Sequence, residues 1–162
     1  MDYRMEHKEQ QQFIARVKAF PNESINDDND HSVPDFWTAC HEKDLVEPMR
    51  QLHAEGKKDL YGLCGPALKS ETHFNYGIGV LVDADTDMEG VQRLLENGYT
   101  MWKTEPTDYA VFKCMGTDGD CIAETWNKFY KEFLTQTGYE QTEDTDYELY
   151  FEKGESGLFC EL

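Results

Sequence analysis

Positive charge is scarce in this chain: 15 lysines and arginines stand against 33 aspartates and glutamates, for a formal charge of -18 over 162 residues. A surface of that sign repels nucleic-acid phosphates and anionic lipid headgroups, so direct nucleic-acid binding and attachment to a membrane surface are not expected. Long apolar runs are missing too. No stretch approaches the roughly 20 residues that cross a bilayer, and the opening MDYRMEHKEQ has no apolar core after its charges. The protein therefore reads as cytoplasmic. Paired cysteines are also lacking: Cys40, Cys64, Cys114, Cys121 and Cys160 form an odd set without a CxxC motif. That argues against a disulfide framework and a zinc site and leaves them as reduced thiols.

Metal and phosphate motifs are absent as well. His7, His31, His41, His53 and His73 do not cluster with cysteines or carboxylates at ligand spacing, and there is no HExxH. DADTDMEG (83–90) is acidic but lacks the glycine and terminal glutamate placement of a calcium loop, so it reads as a solvated turn. The glycines of GIG (77–79) alternate within a strand and open no helix, so they cradle no phosphate. Neither metal nor cofactor is expected.

What is present is a chain rich enough to fold: 39% of residues are apolar and 13% aromatic, well above an acidic disordered composition, and the length suits one domain. Alternation in QFIARVKAF places Phe13, Ala15, Val17 and Ala19 on one face of a strand, with Ile14, Arg16 and Lys18 on the other. A loop follows over 22–32. Pro34 and Asp35 then open a helix running to about Glu42 that resumes over 44–53. LYGLCG (60–65) and HFNYGIGVLVD (73–83) read as strands. Across 84–106 the pattern allows a short helix in MEGVQRLLENG and a strand in YTMWKTE. DYAVFKCM (108–115) is a strand, and Ile122, Trp126, Phe129, Tyr130 and Phe133 recur at helical spacing over 121–135, closed by Gly138.

TDYELYFEK (145–153) is the last clear strand, with Tyr147, Leu149 and Phe151 on one face and Glu148 and Tyr150 on the other. The row Tyr147, Leu149, Phe151 is expected to face the helices, which leaves Glu148 and Tyr150 toward a cleft. Element order and local likeness also suggest a duplication. FWTACHEKDL aligns with TWNKFYKEFL, setting Trp37 against Trp126, and LYGLC aligns with DYELY, setting Gly62 against Glu148. The expected fold is α+β, a single domain over 1–162 with two βαββ halves at about 1–83 and 100–162 joined by 84–99. Its antiparallel sheet would carry helices on one side and a central ligand cleft.

The order VPDFW, YGLCGP, FNYGIGVLVD, TEPTDYAVFKCMG, IAETWNKFYKEFL with TGYE, and DYELYFE resembles the GyrI-like small-molecule-binding domain. That family supplies the effector-binding module of AraC-type and multidrug-sensing transcription regulators and also occurs free-standing. The resemblance spans about Tyr3 to Leu162 and implies pseudo-symmetric halves around a cleft for aromatic, often cationic, drug-like molecules. It also implies an acidic counter-charge at the place of Glu148. Two departures stand out. The chain stops at CEL where relatives often continue into a Trp-Ile-Pro segment, so either the final strand is short or the sequence is trimmed there. No helix-turn-helix precedes Tyr3, so a regulatory role would work through a protein partner.

The expected ligand-binding residues are accordingly Glu148 and Tyr150, with Tyr76, Trp102 and Tyr109 as candidate rings on or beside strands. Trp37, at helical spacing among apolar neighbours, is expected in the core with an indole edge near the cleft. A carboxylate out of water with no cation beside it is costly, and a lipophilic cation relieves that cost. Two alternatives use the same residues or the same charge. The resemblance allows a hydrolase of strained cyclopropane compounds with Glu148 as its catalytic group, and it allows a gyrase-modulating interaction protein with an acidic exterior.

Overall fold

The computed structural model describes residues 3–21, 32–53, 59–65, 72–115, 120–140, 145–150 and 158–161. The expected loop over 22–32, apart from Ser32, and Phe151 of the last strand lie outside these. The fold is α+β and its strand pairings are antiparallel. In the main sheet, β2 (Gln12–Pro21) lies between β5 (Thr100–Lys103) and β4 (His73–Leu81). β4 pairs with β3 (Leu60–Gly65), β3 with β8 (Asp146–Tyr150), and β9 (Leu158–Glu161) joins β8 to β7 (Lys113–Met115). A separate two-stranded ribbon pairs β1 (Arg4–Lys8) with β6 (Thr107–Val111).

The alternation of β2 holds in the fold, and its two rows enter two cores. Ile14 joins Tyr76, Ile78 and Val80 of β4 under Cys40, Met49 and Val91 from α1 (Ser32–Glu42), α2 (Glu47–Arg50) and α3 (Met88–Leu95). Phe13 and Ala15 instead join Tyr61 and Leu63 of β3, with Trp102, Tyr147 and Leu149 packed against them. The ribbon covers part of this second face, where the Tyr109 ring meets that of Tyr147 at 5.2 Å. Both faces of the sheet are thus covered, and β3 carries no charged residue on either row.

Helix α1 has Pro34 and Asp35 in its first turn and ends at Glu42 as expected, but the helix that resumes is shorter than 44–53. Asp44 has φ 56°, a left-handed conformation that ends a helix, and the next helix is the single turn α2. DYAVFKCM is not one strand either. Its first part pairs with β1 and its last with β9, and between them Phe112 turns into an aromatic cluster with Phe129 and Phe133. The expected helix over 121–135 is α4 (Asp120–Lys128), continued by a π-helical segment (Phe129–Phe133) and α5 (Leu134–Thr137). The π turn brings the rings of Phe129 and Phe133 into a stack at 5.6 Å. Gly138 closes it at φ 74°.

One face assignment is reversed. The row that faces α1 is Glu148 and Tyr150, whose ring meets Trp37 of α1 edge-on at 5.0 Å, whereas Tyr147 and Leu149 belong to the opposite core. Period-two alternation tells which residues share a face, but not which face a helix covers.

Candidate functional site

Glu148 sits in the middle of the sheet, directly across the β3–β8 pairing from Gly62. The glycine is required by packing. A Cβ at position 62 would collide with the Tyr76 hydroxyl and lie 2.8 Å from Glu148 Oε1, so its absence makes room for both side chains.

Four elements converge on this carboxylate. The Tyr76 hydroxyl of β4 donates to Oε1 at 2.9 Å. The indole N–H of Trp126 in α4 donates to Oε2 at 3.4 Å, a long and correspondingly weak bond. The Tyr150 hydroxyl, two residues along on the same strand face, also favours its ionised form, less than the other two. Behind Tyr76, the indole N–H of Trp37 in α1 donates to the Tyr76 oxygen at 3.0 Å. Each tryptophan is stacked on a ring one turn along its own helix, Trp37 on His41 and Trp126 on Tyr130.

Burial raises the Glu148 carboxyl above its ordinary range, and these three groups oppose that shift without cancelling it. Among the described residues no lysine or arginine offsets the charge. Burial and the Glu148 charge also drive the Tyr76 hydroxyl far up, so it stays a proton donor. Cys64, beside them, is pushed up to about 12 by burial and by the Asp146 and Glu148 carboxylates, which leaves it an un-ionised thiol with no nucleophilic role. The cluster is therefore a half-buried carboxyl group, hydrogen-bonded through Tyr76 and Trp126, with indole and phenol rings around it.

The candidate rings divide between the two faces. Tyr76, Tyr150 and Trp37 stand with Glu148. Trp102 lies on the other face, across the bare backbones of Gly65 and Gly77, with its indole N–H donating to buried Thr145 at 2.9 Å. Tyr109 also belongs to that side, in the ribbon, where it lines a cavity of about 380 Å³ with Tyr61, Tyr147, Phe129 and Trp126. Trp126 borders that cavity and also bonds Glu148. Its helical spacing points only to core packing; its alignment with Trp37 is the signal in the sequence that points to a site. Among the described residues no group of histidines, cysteines and carboxylates is arranged to hold a metal ion. No helix among them is long and apolar enough to cross a membrane.

The α+β antiparallel fold is that of the GyrI-like small-molecule-binding domains. The chain belongs to the Cass2 family, described as integron-associated effector binding protein, whose profile matches residues 4–162. Among solved structures it is similar to SAV2435 bound to tetraphenylphosphonium, at TM-score 0.76 and 16% identity, covering 99% of this chain and 90% of that one. A putative bacterial transcription regulation protein from Staphylococcus aureus MU50 matches at TM-score 0.75 and 14% identity, covering 99% and 94%. The integron cassette protein VCH_CASS2 from the mobile metagenome of Vibrio cholerae matches at 0.68 and 15%, covering 98% and 92%. Comparison with curated proteins gave no match.

Proposed function

We propose that the protein binds lipophilic cationic or aromatic small molecules, with Glu148 as the counter-charge and Trp37, Tyr76, Trp126 and Tyr150 as the surrounding rings. The observation that carries this is the desolvated carboxylate with no basic partner among the described residues. Such a charge is costly without a ligand, and a cation that brings little hydration of its own recovers part of that cost. Ring faces add about 0.5 to 2 kcal/mol for each well-placed contact with a cation. The tetraphenylphosphonium held by SAV2435, a protein of the same fold, supports the ligand class.

A duplicated architecture supports the central position. The strand order β2-β4-β3 on one side of the β3–β8 boundary is matched by β7-β9-β8 on the other. The pair Gly62 and Glu148, aligned by the internal repeat, are also direct partners across that boundary, where an internal twofold axis would pass. On this reading one acid breaks the symmetry of the centre. The molecule serves as an effector-binding module related to transcription regulators, and a protein partner reads its ligand state.

Tetraphenylphosphonium and tetraphenylborate, matched in size and opposite in charge, test the reading by calorimetry. The cation is expected to bind and the anion not. Glu148→Gln should weaken the cation about tenfold or more, the scale of one desolvated charge contact. Equal binding of both ions, or an unchanged affinity in the variant, would remove Glu148 from the site.

A further inference from the structure

We propose a second binding site, on the Tyr147 face of β8 and apart from Glu148, for uncharged aromatic molecules that carry a carbonyl group. Gln11 supplies the donor that recognises the carbonyl oxygen.

The site is the cavity of about 380 Å³ between β8, the β1–β6 ribbon and the helical stretch that begins with α4. Glu148, Tyr76, Tyr150 and Trp37 do not line it, and Trp126 is the wall between it and the acidic cluster. Its volume is at the lower end of ligand pockets, which suits a small fused-ring molecule. The walls are rings: Tyr61 and Tyr147 from the sheet, Tyr109 from the ribbon, Phe129 and Phe133 from the π-helical segment. Single π turns inside a helix are rare and frequent at functional sites. Tyr147, Leu149 and Phe129 stay half-buried although ribbon and helix lie over that face, because part of each borders the cavity.

The charges around this cavity are arranged unlike those at Glu148. On the ribbon, Glu6 pairs with Arg4 at 2.6 Å and with Lys8 at 3.1 Å, and Asp108 bonds His7 at 2.8 Å, so these acids are largely neutralised where they stand. Asp146 belongs to the Glu148 row, directly across from Cys64, and Glu140 is exposed. An anion would approach against Asp146, Glu140 and a chain of net charge -18.

The inner wall offers donors. The Tyr147 hydroxyl donates to Gln11 Oε1 at 3.2 Å, which leaves the N–H pair at the other end of that amide; among the described residues nothing accepts from it. Thr145, 4% exposed and two residues before Tyr147, accepts the Trp102 indole N–H at 2.9 Å and keeps its own hydroxyl proton to donate. A cation meets no spare acceptor at these two groups, and a hydrocarbon would leave both donors unmatched. A carbonyl oxygen, with two lone pairs and no charge, answers them.

Three ligands on one 2-naphthyl framework test the site by titration calorimetry on the full chain at neutral pH. They are 2-acetonaphthone, 2-isopropenylnaphthalene, in which C=CH2 replaces C=O, and 2-naphthoate. The ketone should bind at least about threefold tighter than the alkene and about tenfold or more tighter than the carboxylate. Gln11→Glu keeps an acceptor for Tyr147 and puts an oxygen in place of the N–H pair. It should lower the ketone to the affinity of the alkene while the alkene itself stays within about twofold, a split that a misfolded variant would not give. Glu148→Gln should leave ketone affinity within about twofold. The second site is overturned if the ketone does not bind, if the alkene or the carboxylate binds as tightly, if the ketone's preference survives Gln11→Glu, or if Glu148→Gln abolishes its binding.

Discussion

Gly62 and Glu148 are partners across the β3–β8 pairing, and the side chain that Gly62 lacks is the space in which the Tyr76 hydroxyl meets the Glu148 carboxylate. Gly62→Ala should therefore cost about 1 to 3 kcal/mol, as overpacking does, and should also weaken cation binding. Gly138→Ala is the control. That glycine needs its left-handed φ of 74° but has nothing within 4 Å of a would-be Cβ. Its substitution should cost about 1 kcal/mol in backbone strain and leave ligand affinity alone. Urea unfolding and calorimetry on both variants check this, and equal effects on affinity would contradict it.

The ligand-free protein should lose stability as pH rises past the ordinary carboxyl range. Burial holds the Glu148 carboxyl above 4.5, so the folded chain keeps this proton to a higher pH than the unfolded chain does. Its contribution is present at low pH and is lost as pH rises through the folded pKa, at about 1.4 kcal/mol for each tenfold difference in proton affinity between the folded and unfolded chain. Glu6, lowered by its bonds to Arg4 and Lys8, works in the opposite sense: its contribution is lost as pH falls. Subtracting the Glu148→Gln stability profile from that of the parent isolates Glu148. A flat difference curve above pH 4.5 would show that the carboxyl is not raised.

Cation affinity should move the other way. Only the ionised carboxylate attracts a permanent cation, so binding tightens as pH rises through the raised Glu148 pKa and levels off above it. Below that point each bound cation releases up to one proton. Calorimetry in two buffers of different ionisation enthalpy measures the release directly. Both effects should vanish in Glu148→Gln.

Trp102 should prove structural. Its indole covers Gly65 and Gly77, and its N–H is satisfied by Thr145, which is only 4% exposed. Thr145→Val leaves that N–H without its acceptor and should destabilise the fold by about 1 to 3 kcal/mol. Affinity for tetraphenylphosphonium should stay within about twofold. A large loss of affinity at unchanged stability would place Trp102 in the ligand site after all.

Much of this fold is legible in local patterning, because short apolar and aromatic runs mark β2, β3, β4 and β8 as strands, and the period of two then tells which residues share a row. What patterning leaves open is the side on which each row lies. With α1 to α3 on one face and the β1–β6 ribbon on the other, Tyr147 and Leu149 pack into a core just as Tyr76 and Ile78 do, though less completely, so an apolar row does not tell which face it lies on. The ribbon itself gives little signal: in RMEHK, Met5 is exposed and the remaining residues are charged or histidine. The break at Phe112 is equally hidden, since each side of it has strand composition and only long-range pairing decides the partner. Glu148 stands out in the sequence as a candidate through its neighbours and its alignment with Gly62. Trp37 and Trp126 resemble ordinary core because helical spacing reports the packed side of a helix, whereas their role here lies in the indole N–H.

The bonds running Trp37, Tyr76, Glu148, Trp126 tie α1 to α4 through two strands, but the tethers are unequal in strength. On the α1 side they measure 3.0 and 2.9 Å; on the α4 side the single link is 3.4 Å. A load on the carboxylate would therefore part α4 from the strand before α1.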